Sequence, residues 1–548
     1  MSGLLSGYRK SWLRFDAIAG VSSAAVVIPK SMALASIAGL PLQAGLYVAL
    51  VPMVVYALLG TSRPLSVSST STIAMLTATA LALAGPVSSP AQLLSAAATL
   101  ALLVGGILMM AGLLRLGFLA NFLSDPVLAG FRAGIGLAII VDQIPKLLGV
   151  HIGSGNFFHK VFATLQHIPE TNRATLLLAV ATMAMLIGLE RFRPRFPAPL
   201  AAVIVGVAAA GFLGLQAAGV ALTGPIPARI PAPALPDFLL VKSLWPSALG
   251  IALMSFTESI AVGRTFARHD DPPAAPNREL IALGAANIAG SFFQSFPAGG
   301  GASQTAVNSR AGARTQAAEL VTAGMVVATL LFLSSFLSLL PQATLAAVVV
   351  VTSLPLLSTA DFRAILRIRR TEFLWAIAAF AGVVILGTLQ GILVAIVISI
   401  LTLFYQANHP PVYVLKRKPG TDVYRPHSAH HPDDETIPGL LVAKTEGRMT
   451  FASAPRAREH LSALVLEAQP QVVILDCSAI PDFEYTALQT LTRGEENLRK
   501  AGISLWLSTL NPQALEAVRR SPLGEALGPS RMFFNLHEAV KTYEASAK

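Results

Sequence analysis

The sequence is poor in cysteine and in charged residues. Cys477 is the single cysteine among 548 residues, which excludes an internal disulfide and a cysteine-based metal cluster. Charged residues make up only 13% of the chain, roughly half of the usual share in a soluble protein, whereas 54% of the residues are hydrophobic. This composition excludes a secreted, fibrous or disordered chain and indicates a membrane protein.

The charges are unevenly distributed along the chain. Residues 1–406 hold 24 basic and 13 acidic residues, and residues 407–548 hold 16 of each sign, so the hydrophobic part carries the whole net charge of +11. The basic residues lie at the ends of apolar segments and form no Lys/Arg-rich run, which argues against a nucleic-acid partner. The sequence therefore predicts a membrane part with a soluble tail.

Apolar stretches long enough to cross a bilayer recur throughout residues 1–406. We predict spans at 17–37, 43–60, 91–114, 124–144, 174–190, 198–216, 243–263, 278–296, 316–340, 342–357, 372–389 and 391–406. Two more polar stretches, 66–84 and 302–313, follow Pro or Gly breaks and are predicted to be partial helices. The first stretch has no clear cleavage site and is predicted to be a retained span. The total is fourteen elements, seven on each side of the Pro-rich loop 223–237.

The positions of the basic residues give the orientation of these elements. With a cytoplasmic N-terminus, the predicted inside connections carry fourteen basic residues and the outside connections five. This asymmetry predicts that both termini are cytoplasmic. Because seven elements per half is an odd number, the second half enters the membrane in the opposite sense, as in an inverted repeat.

The partial helices lie at the third position of each half. Residues 63–72 and 296–306 each place a Pro or Gly break before small hydroxyl residues at a helix start. Paired broken segments of this kind mark binding sites in secondary transporters. Free N–H groups and the positive end of a helix dipole attract anions, so the two segments together predict a small anion site. The alternative interpretation is that they are polar loops.

Two ionisable residues lie deep inside predicted spans. Glu258 is the only charge within 247–262, and a carboxylate there is either paired, or protonated and able to carry a proton. Lys30 follows Pro29 in the first span and is predicted to supply positive charge to an anion or to pair with Glu258. The alternatives are a structural glutamate and a snorkelling lysine. Five residues nearer to span ends are predicted to form structural pairs, namely Arg132, Asp142, Arg310, Arg314 and Glu319.

Several motifs in order resemble the SulP anion transporter family, also called solute carrier family 26. They are the runs at 16–21, 28–33, 38–41, 45–47, 60–64 and 290–297. The resemblance implies a mainly α membrane protein of fourteen transmembrane elements in two inverted seven-element repeats, which works as a homodimer. It also implies transport of sulfate, bicarbonate, chloride, oxalate or dicarboxylates, with the anion bound between elements 3 and 10.

The family pattern can be carried over to individual residues of this chain. Its substrate-binding positions correspond to Lys30 and Leu34 in element 1, Ser69 with Thr70 in element 3, and Ser303, Gln304 and Thr305 in element 10. Lys30 replaces the usual Gln, and Gln304 lacks the cation that some members carry nearby. The acidic position of element 8 is Glu258. In this family, a Glu there resembles proton coupling and an Asp sodium coupling.

The tail alternates strand and helix patterns from about Gly439. The strands are predicted at 440–446, 471–475 and 503–507, and the helices at 454–467 and 485–500. This arrangement is similar to the cytoplasmic α/β STAS domain that ends SulP proteins. Tyr485 stands where related proteins carry a phosphorylated Ser, which argues against a phosphorylation switch; Thr486 is a weaker candidate. His427, His430 and His431 suggest metal only weakly, and a solvated linker is favoured over 407–438.

These features together predict a secondary active transporter and no enzyme. The assignment is a transport domain over residues 1–406, with repeats at about 12–220 and 238–406, a linker over 407–438 and a STAS domain over 439–548. The predicted activity is proton-coupled sulfate symport in the plasma membrane, with no cofactor or metal, an unknown protein partner of the tail, and lipid contacts. Alternatives are an uncoupled anion channel or exchanger, sodium-coupled bicarbonate uptake, and a nucleobase permease.

Overall fold

The computed structural model describes residues 8–84, 89–121, 124–153, 155–193, 197–268 and 271–546. The chain divides into two compact units, Met1–Ser399 and Ile400–Lys548. The first unit is built of helices and the second contains a mixed β-sheet.

The first half of the helical unit contains nine helices and one very short strand within the described residues. The helices are α1 (Leu13–Ile37), α2 (Leu42–Val48), α3 (Val51–Leu59), α4 (Ser71–Leu83), α5 (Pro90–Leu113), α6 (Asp125–Leu148), α7 (Phe157–Gln166), α8 (Arg173–Phe192) and α9 (Ala198–Leu213). Strand β1 (Val67–Ser68) directly precedes α4.

The second half repeats this pattern. Its helices are α10 (Val241–Phe266), α11 (Pro276–Ser291), α12 (Ala302–Arg310), α13 (Ala317–Ala328), α14 (Ser334–Leu337), α15 (Gln342–Ser353), α16 (Thr359–Ile368), α17 (Arg370–Leu386) and α18 (Thr388–Asn408). Strand β2 (Gly299–Gly300) precedes α12, as β1 precedes α4. A π-helical turn over Thr329–Leu333 joins α13 to α14.

The helices account for the fourteen predicted elements. α2 and α3 together form element 2, and α13 with α14 forms element 11. The sequence did not predict α7 and α16, which are short amphipathic helices with a polar face. They connect elements 5 to 6 and 12 to 13, which are equivalent places in the two halves, so they belong to the repeat.

Apolar side chains cover much of the outer surface of this unit. Leu177, Phe212, Leu213 and Phe332 are each at least 70% exposed. By length and composition, eight helical segments of the described chain could cross a bilayer. Such exposed side chains are stable in contact with lipid and would be unfavourable in water.

Close helix contacts in the unit depend on glycine. α5 and α11 cross where Gly105 and Gly284 face each other, and a Cβ at Gly284 would lie 2.7 Å from the backbone N of Met109. Small residues allow helices in membranes to pack backbone against backbone. This contact joins α5, which follows the first broken segment, to α11, which precedes the second.

One predicted span is shorter than expected. The sequence predicted an element over 278–296, but α11 ends at Ser291. Gln294 adopts a positive φ of 59° and Pro297 follows, so the chain leaves the helix before it reaches β2. The irregular stretch brings Gly299–Gly300 beside β1.

The tail forms a six-stranded sheet in the order β4-β3-β5-β6-β7-β8. The strands are β3 (Val412–Arg417), β4 (Tyr424–Pro426), β5 (Leu440–Thr445), β6 (Val472–Asp476), β7 (Ser504–Ser508) and β8 (Met532–Phe533). The neighbours from β5 to β8 run parallel, whereas β3 is antiparallel to both β4 and β5. The five predicted tail elements appear close to their expected bounds.

The predicted linker over 407–438 is wrong for two of its segments, because β3 and β4 lie within it and extend the sheet. They form an antiparallel hairpin in which Leu415 pairs with Pro426, and Val412 pairs with Thr445 of β5. A hairpin edge does not show the strand–helix alternation from which the tail was predicted, so its pattern was missed.

Five helices complete the tail, namely α19 (Ala454–Ala468), α20 (Tyr485–Lys500), α21 (Pro512–Arg519), α22 (Pro522–Leu527) and α23 (Leu536–Ser546). Apolar clusters on the two faces of the sheet give the tail its own core. Cys477 lies in one of them, fully buried, and burial raises the pKa of its thiol above the usual range.

Candidate functional site

The two broken segments meet in a short antiparallel ladder. Val67 pairs with Gly300 and Ser68 with Gly299. Ser66 extends this contact, because its carbonyl accepts from the N–H of Gly301 at 3.0 Å and its own N–H donates to Oγ1 of Thr305 at 3.0 Å. The N-termini of α4 and α12 therefore start from one joint.

The two helix starts differ in how they are capped. Thr70 caps α4, and its Oγ1 accepts from the N–H of Ile73 at 3.2 Å. Gly301 precedes α12 and has no side chain to cap it. The first-turn N–H groups of α12 are therefore available to a ligand anion, and the helix dipole adds positive potential there.

Lys30 lies against the start of α12. Its side chain is buried, with 7% of the residue exposed, and Nζ donates to Oε1 of Gln304 at 3.0 Å. Nε2 of Gln304 in turn donates to Oγ of Ser68 at 2.7 Å. This chain of contacts connects α1, α12 and β1.

The predicted pair of Lys30 with Glu258 does not form as a direct contact. Within the described residues, no carboxylate oxygen lies within 4.0 Å of Nζ of Lys30. A buried ammonium group without a counterion is unfavourable, because burial removes its hydration. Glu258 acts on this ammonium group only at longer range, so an anion that binds beside Lys30 would supply a direct counterion.

Glu258 lies on α10 and contacts the start of α4. Its carboxylate accepts from Oγ1 of Thr70 at 3.0 Å and from Oγ1 of Thr72 at 2.8 Å, and 7% of the residue is exposed. Both donors are neutral hydroxyl groups. Glu258 is therefore hydrogen-bonded to the same helix N-terminus that contributes to the anion site.

The remaining predicted site residues fall into three groups. Leu34 and Ser69 are buried, and Oγ of Ser69 has no hydrogen-bond partner within the described structure. Thr305 has a structural contact, since its hydroxyl accepts from Ser66. Ser303 is exposed at the start of α12. An unpartnered buried hydroxyl is costly, and a bound anion would accept its hydrogen bond.

Three polar residues of the joint, Ser66, Ser68 and Thr72, were not among the predicted site residues. All three lie within the predicted partial helix 66–84; in the structure Ser66 and Ser68 precede α4, and Thr72 lies in its first turn. The available signal was the alternation of Ser66, Val67 and Ser68, which is typical of a short strand. Their partners lie more than 180 residues away in sequence, so the contacts could not be derived from spacing.

The charged residues nearer to span ends have varied contacts. Asp142 forms an ion pair with Lys160 at 2.5 Å, and the side chain of Arg314 lies over the ring of Phe15. Within the described residues, the predicted structural pairing of Glu319 does not take the form of an ion pair. This residue is fully buried, and its carboxylate accepts from two neutral donors, Ser66 and Asn308.

The predicted tail residues lie at the surface. His427, His430 and His431 are exposed, and among the described residues no group of three His, Cys, Asp or Glu side chains could hold a metal ion. Tyr485 starts α20 and is 75% exposed, and its hydroxyl accepts from Nε2 of Gln489. Thr486 is exposed beside it.

Comparison with known families extends these observations. The model of the sulfate permease family matches residues 13–379, and that of the STAS domain matches residues 431–539. A probable sulfate transporter of Mycobacterium tuberculosis (strain H37Rv) is 36% identical over 543 residues, which cover 98% of this chain and 96% of the relative. High affinity sulfate transporter 2 of Stylosanthes hamata is 28% identical over 557 residues, which cover 97% of this chain and 84% of the relative.

A solved structure matches nearly the whole fold. The murine solute carrier 26 family member A9 anion transporter, in its inward-facing state, aligns with a TM-score of 0.88 and 25% identity. The alignment covers 99% of this chain and 93% of that protein.

Proposed function

The chain belongs to the sulfate permease family, and on that premise we propose that it is a proton-coupled symporter of small anions, with sulfate as the first candidate substrate. Members of this family are transporters, not enzymes. The curated relatives above are named as sulfate transporters, which favours sulfate over the other anions.

The observation that carries the proposal is the position of Lys30. It is a buried cation, without a carboxylate partner in the described residues, beside the uncapped start of α12 and the joint of the two broken segments. Ser69 offers an unpartnered hydroxyl in element 3. These groups would bind an anion by charge, by N–H donors and by hydroxyl donors.

Lys30→Gln tests this assignment. The variant keeps a polar side chain of similar reach but removes the charge, and a charge-assisted contact contributes about 1.5–3 kcal/mol. Sulfate affinity should therefore fall roughly 10-fold to 150-fold, measured by titration of the purified protein. Lys242→Gln, at an exposed lysine, is the matched control and should bind like the wild type. An unchanged affinity in Lys30→Gln would reduce Lys30 to a structural residue.

We propose that Glu258 carries the coupled proton. Its partners Thr70 and Thr72 are hydroxyl groups, which can donate to a carboxylate and can also accept from a protonated carboxyl group. Protonation at the start of α4 would offset the charge of an incoming anion. The helices that hold the anion would then move against the rest of the transport domain in an elevator-like or rocking motion.

Glu258→Gln tests this coupling role in proteoliposomes. Uptake of sulfate driven by an inward proton gradient should fall, while exchange of sulfate for sulfate persists. Glu170→Gln, at an exposed glutamate, is the control. Gradient-driven uptake equal to that of the wild type would refute the role of Glu258. Chloride current with no proton requirement in the wild type would favour a channel or an uncoupled exchanger.

Two further properties remain proposals that follow from the family. We propose that the protein is a homodimer in the plasma membrane and that both termini are cytoplasmic. The excess of basic residues in the predicted inside connections, fourteen against five, supports this orientation.

A further inference from the structure

Glu319 is a second buried carboxylate in the membrane unit. It lies in the first turn of α13 and has no exposed surface. Oγ of Ser66 donates to its Oε2 at 2.8 Å, and Nδ2 of Asn308 donates to its Oε1 at 2.8 Å. Within the described residues, no cation lies within 4.0 Å of it. An ionisable group in such a place is expensive and by default functional.

The other charged and titratable groups around α13 do not neutralise Glu319. They include Arg14, Asp16 and Lys30 of α1, Tyr56 of α3 with its partner Glu279 of α11, Arg310 of α12, and Arg314 just before α13, which is exposed and lies over the ring of Phe15. Asp16, Lys30 and Tyr56 are engaged with Thr315, Gln304 and Glu279 respectively, while Arg14 and Arg310 are exposed. Glu319 is therefore surrounded by neutral donors and by groups that are committed elsewhere.

Asn308 can serve both protonation states of Glu319. Its Nδ2 donates to the carboxylate, while its Oδ1 is buried and has no partner in the described structure. Rotation of the amide by half a turn would point Oδ1 at a protonated Glu319 and would break no other side-chain hydrogen bond that the described residues make with it. Each orientation leaves one amide group unpartnered, so the amide itself favours neither state.

Two effects oppose each other at Glu319. The N-terminal dipole of α13 favours the carboxylate, and burial in the membrane unit favours the neutral acid. The dipole therefore offsets part of the cost of burying the charged form.

Ser66 connects Glu319 to the anion site. Its hydroxyl donates to Glu319, its N–H donates to Thr305, and its carbonyl accepts from Gly301 at the start of α12. A change at Glu319 therefore acts on a residue that holds the two broken segments together. Asn308, the other partner of Glu319, lies about 9 Å along α12 from the first residue of that helix, at 1.5 Å per residue, so Glu319 contacts both the joint and the later part of α12.

We propose that Glu319 is a second proton-binding site of the transporter, which takes up and releases a proton in each cycle and acts on the anion site through Ser66. The proposal rests on the proton-coupled symport proposed above. The proton comes from water on one side and returns to water on the other, and no bond other than O–H forms or breaks. One proton on Glu258 and one on Glu319 would balance a divalent anion.

The proton-to-anion ratio in proteoliposomes tests the proposal. It is obtained from the proton gradient that just balances an opposing sulfate gradient. Glu319→Gln should carry one proton fewer per sulfate than the wild type, and its uptake should become sensitive to membrane potential. Glu258→Gln should also lose one proton, the double variant should lose both, and Glu170→Gln should lose none.

The outcomes separate this inference from the proposed function. A ratio unchanged only in Glu319→Gln overturns the second site and leaves Glu258 as the coupling residue. A ratio unchanged only in Glu258→Gln overturns the role of Glu258 instead. A wild type that moves no protons overturns the proposed coupling, and the second site with it.

Infrared spectroscopy gives a test that does not need an active Glu319→Gln variant. Difference spectra of purified full-length Glu258→Gln between acidic and neutral pH should retain the C=O band of a titrating buried carboxylic acid. Adding Ser66→Ala should shift this band, because Glu319 loses one hydrogen bond. The absence of such a band, or a band that Ser66→Ala leaves unmoved, would overturn the proposal.

Discussion

Gly300 tests how closely the joint of the broken segments is packed against α10. It pairs with Val67 across the short ladder, and its N–H donates to Oγ of Ser259 at 2.7 Å. A Cβ at this position would lie 2.9 Å from Cα of Ser259 and 2.7 Å from Cδ1 of Leu65. The first of these atoms is helix backbone and cannot rotate away.

Gly300→Ala should therefore push β2 away from α10 by several tenths of an ångström. Overpacking of this kind costs about 1–3 kcal/mol. Ser259 is the next residue after Glu258, so the displacement reaches both parts of the site. If the whole cost falls on the binding-competent state, sulfate affinity drops roughly 5-fold to 150-fold.

Gly106→Ala is the matched control, because a Cβ there meets no heavy atom within 4 Å. Alanine is favoured over glycine inside a helix by roughly 0.5–1 kcal/mol, so this variant should be slightly more stable than the wild type. Thermal unfolding with and without sulfate, followed by titration, compares the two variants. If Gly300→Ala matched Gly106→Ala in both thermal stability and sulfate affinity, close packing of Gly300 against α10 would not matter for anion binding, contrary to our prediction.

Two further predictions concern single side chains. Ser69→Ala removes a buried hydroxyl without a partner, so the anion-free protein should keep its thermal stability while sulfate affinity falls about 10-fold. Ser353→Ala removes a similar unpartnered hydroxyl in α15 and should leave sulfate affinity unchanged. A Ser69→Ala variant that binds sulfate like the wild type would contradict the role of Ser69 in the anion site. In the tail, the hydrogen-bonded ion pair with Arg425 lowers the pKa of Asp434. The stabilisation of the folded tail by this pair is therefore complete above the ordinary pKa of about 4 and is lost as the pH falls through the lowered value. An NMR titration of residues 409–548 should show the Asp434 midpoint rising in Arg425→Met, and an unchanged midpoint would contradict this explanation.

The sequence was informative wherever a pattern is local. Runs of about 20 apolar residues gave the spans, and the strand–helix alternation gave the parallel part of the tail sheet. The breaks at Pro64 and Pro297 allowed both partial helices to be predicted, because proline and glycine end regular structure at the position where they occur. The amphipathic helices α7 and α16 are too short and too polar for a span search, so they were missed.

The contacts within the site depend on chain segments that are far apart. Lys30 and Gln304 are 274 residues apart, and Ser66 and Glu319 are 253 apart. Spacing predicted that both broken segments contribute, but it could not predict that Lys30 donates to Gln304 instead of pairing with Glu258. Glu319 was assigned to structural pairing from its place near a span end, and only the fold shows that its neighbours are neutral.

The central claim is that an anion binds between Lys30 and the starts of α4 and α12. Selenate has the shape and charge of sulfate and scatters anomalously, so a crystal of the protein grown with selenate locates the anion directly. We predict a single anomalous peak within hydrogen-bond distance of Nζ of Lys30 and Oγ of Ser69, absent in Lys30→Gln at the same concentration. A peak elsewhere in the membrane unit, or one that persists in Lys30→Gln, would contradict the account.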